Sequence, residues 1–278
     1  IAFADMVNTV SPRYMKEIQS PAQGEGLDGL IRARAADLRG IINGIDNEEY
    51  DPRTDPFIAA NYDASSVRRK RESKFELQAL SRLRKDASAP LLGMIARLTD
   101  QKGYDLLCAG IDEIVALGAQ VVVMGVGEDK YRRALADAAE RHPGAVAYHA
   151  LDEEHLARLI YAGADFVLAP SAFEPCGLAP LIALRYGSIP IVRRTGGMAD
   201  TILDYTQDPQ KGLGFTFIRK YPRHLVRTIE SALKVYRDKK RWESLQRRAM
   251  TTDFSWTHSS TAYVDLYEEA RERRRRKI

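Results

Sequence analysis

The sequence predicts an α/β fold, a parallel sheet with helices packed against it. Two observations predict it. From residue 90 onward, short apolar runs alternate with amphipathic segments. The runs are continuous rather than alternating, which suits strands buried on both faces. Strand-helix alternation of this kind implies right-handed βαβ units around a parallel sheet. Such sheets bind ligands beyond the carboxyl ends of their strands, so the residues after each run are the ones to inspect.

In chain order, 6–10 reads as a strand and 20–29 as a loop containing Pro and Gly. One strand cannot make a domain, so it calls for neighbours that this chain need not contain. Residues 50–75 read as a polar connector, with Asp51-Pro52, Asp55-Pro56 and the basic run Arg68-Arg69-Lys70-Arg71. The apolar runs are 91–96, 120–125, 145–149, 165–170 and 188–193, with 214–217 as a sixth. Between them Leu107, Ile111 and Ile114, then Leu156, Leu159 and Ile160, then Leu225, Ile229 and Leu233 fall at helical spacing on one face. The rest is mostly helix through Trp242, Leu245, Tyr263, Leu266 and Tyr267.

Composition narrows the function. With 45% hydrophobic and 29% charged residues, the 278-residue chain can bury a core and stay soluble. No apolar run reaches the roughly 18 residues that span a bilayer. The chain opens at Ile1 without a secretory signal or an initiator Met, as expected of a fragment or a processed product. Two cysteines, Cys108 and Cys176, make no disulfide framework and point to a reducing compartment. The five histidines form no H-x-x-x-H pair, so no metal site is expected. The net charge of +4 resides in the tail: residues 271–277 carry +5 and residues 1–270 sum to −1. A near-neutral body argues against nucleic-acid binding. The tail itself reads as a solvated helix end.

Four strand ends carry candidate chemistry. Arg97 and Lys102 follow the run at 91–96 and precede a helix, so both cations and the helix N-terminus can converge on an anion such as a diphosphate; the alternative is that they pair with carboxylates. Gly125 and Gly127 begin a G-x-G-x-x-G pattern whose third position is Lys130, so the dinucleotide fingerprint fails. A tight strand-to-helix turn and a turn shaped for a nucleotide both remain open there. Glu174 follows the run at 165–170, just before a helix that starts near Gly177. A carboxylate beside free helix-start N–H groups suits sugar hydroxyls, which both donate and accept; an ordinary helix cap is the alternative. Thr195-Gly196-Gly197 follows 188–193 and leads into a helix, either as a tight turn or as backbone for phosphate or sugar.

Together these motifs resemble the bacterial glycogen synthases and plant starch synthases. R-L-T-D-Q-K-G at 97–103 and F-E-P-C-G-L at 173–178 carry the resemblance. R-Y-G-S-I-P at 185–190, R-R-T-G-G at 193–197, N-G-I-D at 43–46, T-V-S-P at 9–12, G-L-D-G at 26–29 and D-F-S-W at 253–256 extend it in family order.

The resemblance implies a GT-B fold, two Rossmann-like domains with the active site between them. This chain is expected to be the C-terminal, nucleotide-sugar-binding domain at 39–278, with 1–38 the end of the acceptor-side domain. The last helix is expected to return toward that domain. The implied reaction moves glucose, with retention, from ADP-glucose or UDP-glucose to the non-reducing end of an α-1,4-glucan. Arg97 and Lys102 would hold the diphosphate and offset charge on the leaving group. Glu174 would orient the glucose. Cys176, Gly177 and Leu178 would line the pocket, with Thr195 and Gly196 nearby. The family uses no metal or other cofactor and works in bacterial cytoplasm or plastid stroma.

The chain departs from the family in three places. A ribose-contacting Glu eight residues after Glu174 is replaced by Ile182, as is common in these synthases. A Gly-Tyr pair before the helix at 153–161 is replaced by Leu151-Asp152, which leaves no base-stacking Tyr there. The Lys-x-Gly-Gly loop and the reaction-centre His of the N-terminal half do not occur. The expected partners are therefore a nucleotide sugar, a glucan and the N-terminal half of the same enzyme. A binding module without turnover and a basic protein acting through its tail are the competing readings.

Overall fold

The computed structural model describes residues 1–151 and 153–276. Strand β1 (Val7–Thr9) is followed by helices α1 (Pro12–Glu17) and α2 (Asp28–Ala33) and by β2 (Leu38–Gly40). β1 and β2 pair in parallel, Val7 opposite Leu38. The expected strand at 6–10 thus finds a neighbour inside the chain. β2, only three residues long, is too short for any periodicity to announce it. The boundary expected at residue 38 falls on the first residue of β2, so each side of it supplies a strand. Helix α1 begins at an N-cap: Ser11 Oγ accepts from the Tyr14 N–H at 2.8 Å, and Pro12 occupies the first turn.

The remaining strands form one six-stranded sheet: β3 (Leu91–Ile95), β4 (Gln120–Met124), β5 (Val146–His149), β6 (Phe166–Ala169), β7 (Ile189–Arg193) and β8 (Phe215–Phe217). Their order is β5-β4-β3-β6-β7-β8 and every pairing is parallel. All six expected apolar runs are strands. The order reverses direction between β3 and β6, which makes their ends a topological switch point. Nine helices accompany the sheet among the described residues: α3 (Lys70–Leu80), α4 (Tyr104–Ala116), α5 (Asp129–Arg141), α6 (Glu154–Gly163), α7 (Leu178–Arg185), α8 (Gly196–Thr201), α9 (Pro222–Arg237), α10 (Lys239–Thr251) and α11 (Trp256–Arg275).

The alternation of a strand divides the core. Along β4, Val121 and Val123 join the cluster that contains Leu107 and Ile111 of α4 and Leu135 of α5. Val122 and Met124 join the cluster of Leu77 from α3 with Leu159 and Ile160 from α6. Burying each such side chain contributes about 1.5–3 kcal/mol. That is why β4 reads as an unbroken apolar run.

The segment at 50–75 is more than a polar connector. Asp51 and Asp55 are buried. Asp51 takes Arg53 at 2.5 Å and Arg185 at 2.9 Å, and Asp55 accepts from the Tyr186 hydroxyl. The basic run is divided, because Lys70 turns inward while Arg68, Arg69 and Arg71 stay exposed. The Lys70 ammonium donates to the carbonyls of Tyr161 and Ala162 and, at 2.8 Å, to Ser188 Oγ, so it caps the last turn of α6. Polarity predicts exposure, and the network reverses it: a buried amine is accommodated where carbonyls receive its protons.

At the other end of the chain, α11 lies against the segment after α2. Arg39 meets Glu269 at 2.6 Å, Arg273 pairs with Asp37, and the Tyr263 hydroxyl donates to Asn43 Oδ1 at 3.3 Å. Arg274, Arg275 and Arg276 are exposed at its end. Lys277 of the basic tail and Asp152 of the Leu151-Asp152 pair lie outside the described residues.

Burial, with Lys74 adding repulsion against the pull of Asp165, lowers the Lys70 amine from 10.5 to about 7. Between those values the unfolded chain binds one more proton than the folded one. The stability contribution of Lys70 should therefore rise with pH from about 7 toward 10.5. Urea unfolding of wild type and Lys70→Met at pH 6, 8 and 10 tests this. The wild type should gain stability relative to the variant as pH rises, and parallel curves would contradict the titration.

Candidate functional site

The loops after β3 and β6 meet at the switch point. The Ala172 N–H donates to the Gln101 carbonyl at 2.7 Å, which ties the two loops together by backbone. A 3-10 turn at Asp100–Lys102 leads into α4 and aims Lys102 across the gap. There the Lys102 ammonium donates to Glu174 Oε2 at 2.6 Å, and Ser171 Oγ donates to the same oxygen at 3.1 Å. Both side chains are largely buried, with 23% and 14% of their surface exposed, so the pair is only partly screened by water. Arg97 is different. It is exposed, and among the described residues it has no hydrogen-bond or ion-pair partner. The two predicted cations thus share one edge, one engaged and one free.

A cleft of about 320 Å³ opens here, lined by Met94, Ala96, Lys102, Glu174, Cys176 and Leu178 among others. Its floor is apolar and its rim charged, which suits a ligand with a hydrocarbon face and anionic or hydroxyl groups. Burial raises the Cys176 thiol above its ordinary range, so the sulfur packs as a neutral group. A cavity of about 470 Å³ lies between α3 and α10, beside Asp165 before β6. Its inner amines, Lys70 and Lys74, are already bonded to carbonyls and to Asp165. The smaller cleft is therefore the better candidate site, having convergent groups within reach of a ligand.

The Glu174 backbone is held by the next loop. Gly197 N–H donates to the carbonyls of Glu174 and Pro175 at 3.1 Å each. Gly196 has φ +45°, and a Cβ there would lie 1.8 Å from the Glu174 carbonyl oxygen. Only glycine fits that contact. Arg193, at the end of β7, adds a brace by donating to the Ser171 carbonyl at 2.8 Å and to that of Ala172. Burial lowers its guanidinium below the ordinary value, partly offset by Glu17. Gly177 caps α7, and Leu178 starts that helix, 44% exposed at the cleft.

Two predicted groups are engaged within the chain itself. The turn carrying Gly125 and Gly127 packs against the chain itself: a Cβ on Gly125 would lie 2.0 Å from the Ala96 carbonyl, and one on Gly127 2.5 Å from that of Leu98. Both glycines have a packing reason of their own. Thr195 is buried, and its hydroxyl donates to Glu17 Oε2 at 3.1 Å, as does the Gly196 N–H. Glu17 and Ser171 escaped the sequence reading. Ser11-Pro12 marks the start of α1, but no spacing says that Glu17 meets a turn 178 residues away.

The doubly wound parallel sheet with a charged cleft at its switch point is of the Rossmann-like kind found in GT-B glycosyltransferases. The chain belongs to the family described as glycosyl transferases group 1, whose model matches residues 78–249. The model of the starch synthase catalytic domain matches residues 1–33. Glycogen synthases from Moorella thermoacetica and Thermotoga maritima are 49% and 44% identical over 99% and 97% of this chain. The chain spans 56% of the length of each. The solved catalytic domain of starch synthase IV from Arabidopsis thaliana, bound to ADP and acarbose, superposes with a TM-score of 0.92 at 36% identity, over 96% of this chain and 56% of that one. Among the described residues, no helix is long and apolar enough to cross a membrane, and no group of three or more His, Cys, Asp or Glu is placed to hold a metal ion.

Gly196→Ala should strain the turn and move Glu174 with it. Compared with Gly118→Ala, where φ is +86° but nothing crowds the new Cβ, it should lower stability by a further ~1–3 kcal/mol. In thermal melts that is a fall of roughly 2–10 °C. Equal midpoints for the two variants would mean that the interlock yields freely.

Proposed function

We propose that this chain is the donor-binding part of an α-glucan synthase, which transfers glucose from ADP-glucose to the non-reducing end of an α-1,4-glucan. The observation that carries the reading is the Lys102–Glu174 pair at 2.6 Å, set at the switch point, with the unengaged Arg97 on the same loop after β3. A diphosphate arriving here meets Arg97 unengaged, and it competes with Glu174 for Lys102. In the reaction the sugar's bond to the diphosphate breaks, a bond to a glucan hydroxyl oxygen forms, and the hydroxyl proton passes to the departing ADP or to solvent. Negative charge grows on the departing ADP, and the two cations offset it. Released in part from Lys102, the Glu174 carboxylate orients the glucose hydroxyls. Cys176, Gly177 and Leu178 form the wall. Thr195 and Gly196 serve the pocket through backbone shape, their donors being engaged by Glu17.

ADP rather than UDP is favoured because the solved starch synthase IV, 36% identical, is bound to ADP. Residues 1–38 are read as the end of an acceptor-side domain, supported by the starch synthase match at 1–33 and by their place outside the main sheet. Phe3, Leu27, Trp256 and Tyr267 are exposed apolar side chains that an upstream domain could cover. A module that binds nucleotide sugar without turnover is the second reading, and catalysis separates the two.

The test is glucose transfer to a glycogen primer by the full-length polypeptide, with ADP-glucose and UDP-glucose compared. Arg97→Ala and Lys102→Ala should each lower kcat by about 10²-fold or more. A near-wild-type rate in either would remove that residue from the diphosphate site. This chain alone should bind ADP weakly by calorimetry, since it holds one wall of the cleft, and no heat at millimolar ADP would count against the donor site.

A further inference from the structure

We infer that Glu17 is a positioning residue for Glu174, acting through the turn at 195–197; the inference rests on the role given to Glu174 above. Glu17 ends α1, and only 11% of its side chain is exposed. Its two oxygens divide their work. Oε1 accepts from Arg13 Nε at 2.9 Å, while Oε2 accepts from both Thr195 Oγ1 and the Gly196 N–H, each at 3.1 Å.

The turn is thus gripped from two sides. Glu17 holds the N–H of Gly196, and the Glu174 carbonyl receives the N–H of Gly197. The contact between Gly196 Cα and the Glu174 carbonyl leaves no slack, so a shift at residue 196 must appear at 174. A second tie fixes α1 along α8: the Arg13 N–H donates to Asp200 Oδ2 at 2.8 Å. Tyr14, between them, feels Glu17, Glu25 and Glu174 together. Its phenol is raised first by burial and then by those three carboxylates, which places α1 close to the cleft.

Gly196 and Thr195 are both buried, so without Glu17 an N–H and a hydroxyl would lose their acceptor in a site that admits little water. A carboxylate acceptor also makes the stronger, charge-assisted kind of hydrogen bond. Glu17 lies in the stretch matched by the starch synthase model, and its two donors lie in the stretch matched by the glycosyltransferase model. The latch therefore transmits the placement of the upstream segment to the carboxylate at the cleft.

The experiment compares Glu17→Ala, Glu17→Gln and the exposed neighbour Lys16→Ala in the full-length polypeptide. Glu17→Ala should lower kcat by about 10–100-fold, as expected of a displacement near 1 Å. Donor KM should stay within about threefold, because Arg97 and Lys102 are untouched. Amide exchange at 195–197 and at Glu174, Cys176 and Gly177 should quicken. Glu17→Gln, whose amide oxygen still accepts, should recover part of the rate, and Lys16→Ala should match wild type. A Glu17→Ala enzyme that melts lower but keeps kcat within about twofold per folded molecule would overturn the inference. Should the wild type transfer glucose from neither donor, the functional reading fails on its own. Unchanged exchange at 195–197 in Glu17→Ala would still overturn the latch.

Discussion

The parallel pairing of β3 with β6 places side by side two loops that are 72 residues apart at Lys102 and Glu174. Right-handed crossovers send β4 and β5 to one side of β3 and bring the chain back to the other. The loops after β3 and β6 then diverge over a gap that no crossover helix fills. Every charged group of the cleft depends on that gap. Were β6 to add beyond β5, Glu174 would stand three strands from Lys102 and the pair could not form.

The gap alone would leave a flexible rim, and the backbone prevents this. The β6 loop is tied to the β3 loop at Ala172, braced by Arg193, and locked to the β7 turn at Gly196 and Gly197. These are contacts of main chain with main chain or with one half-buried guanidinium, so little rotamer freedom remains. The side chains left free, Arg97 above all, are those that a ligand would organise. Rigid backbone with a few unengaged charges is a preorganised arrangement, in which binding need not first order the site.

The same physics explains the polar residues that lie inside. Lys70, Asp51, Asp55 and Arg158 are buried in the segment at 50–75 and the helices beneath it. Arg158 reaches the Glu49 carbonyl at 2.5 Å and its carboxylate at 2.9 Å. These bonds strap the connector over α6 and α7. Losing one partner would leave the other buried without compensation, a larger penalty than the net value of the pair.

The main sheet was legible from the amino-acid sequence because buried parallel strands must be continuously apolar, and each of the six runs satisfies that locally. The place of Arg97, Lys102, Glu174 and Gly196 at strand ends was legible for the same reason, and their family resemblance came from short contiguous motifs. β2 was not legible, since three residues carry no period. The inward turn of Lys70 was not, since its acceptors are carbonyls 91 and 92 residues away. Nor was the attachment of Glu17 to the turn at 195–197. The sequence by itself determined which segments form the main sheet and which residues follow its strands, because periodicity and burial act within a dozen residues. Only the tertiary structure decided which strand ends adjoin, that Lys102 is engaged while Arg97 is free, and that a carboxylate from α1 grips the turn behind Glu174. Those outcomes depend on contacts between distant segments, and no local pattern records them.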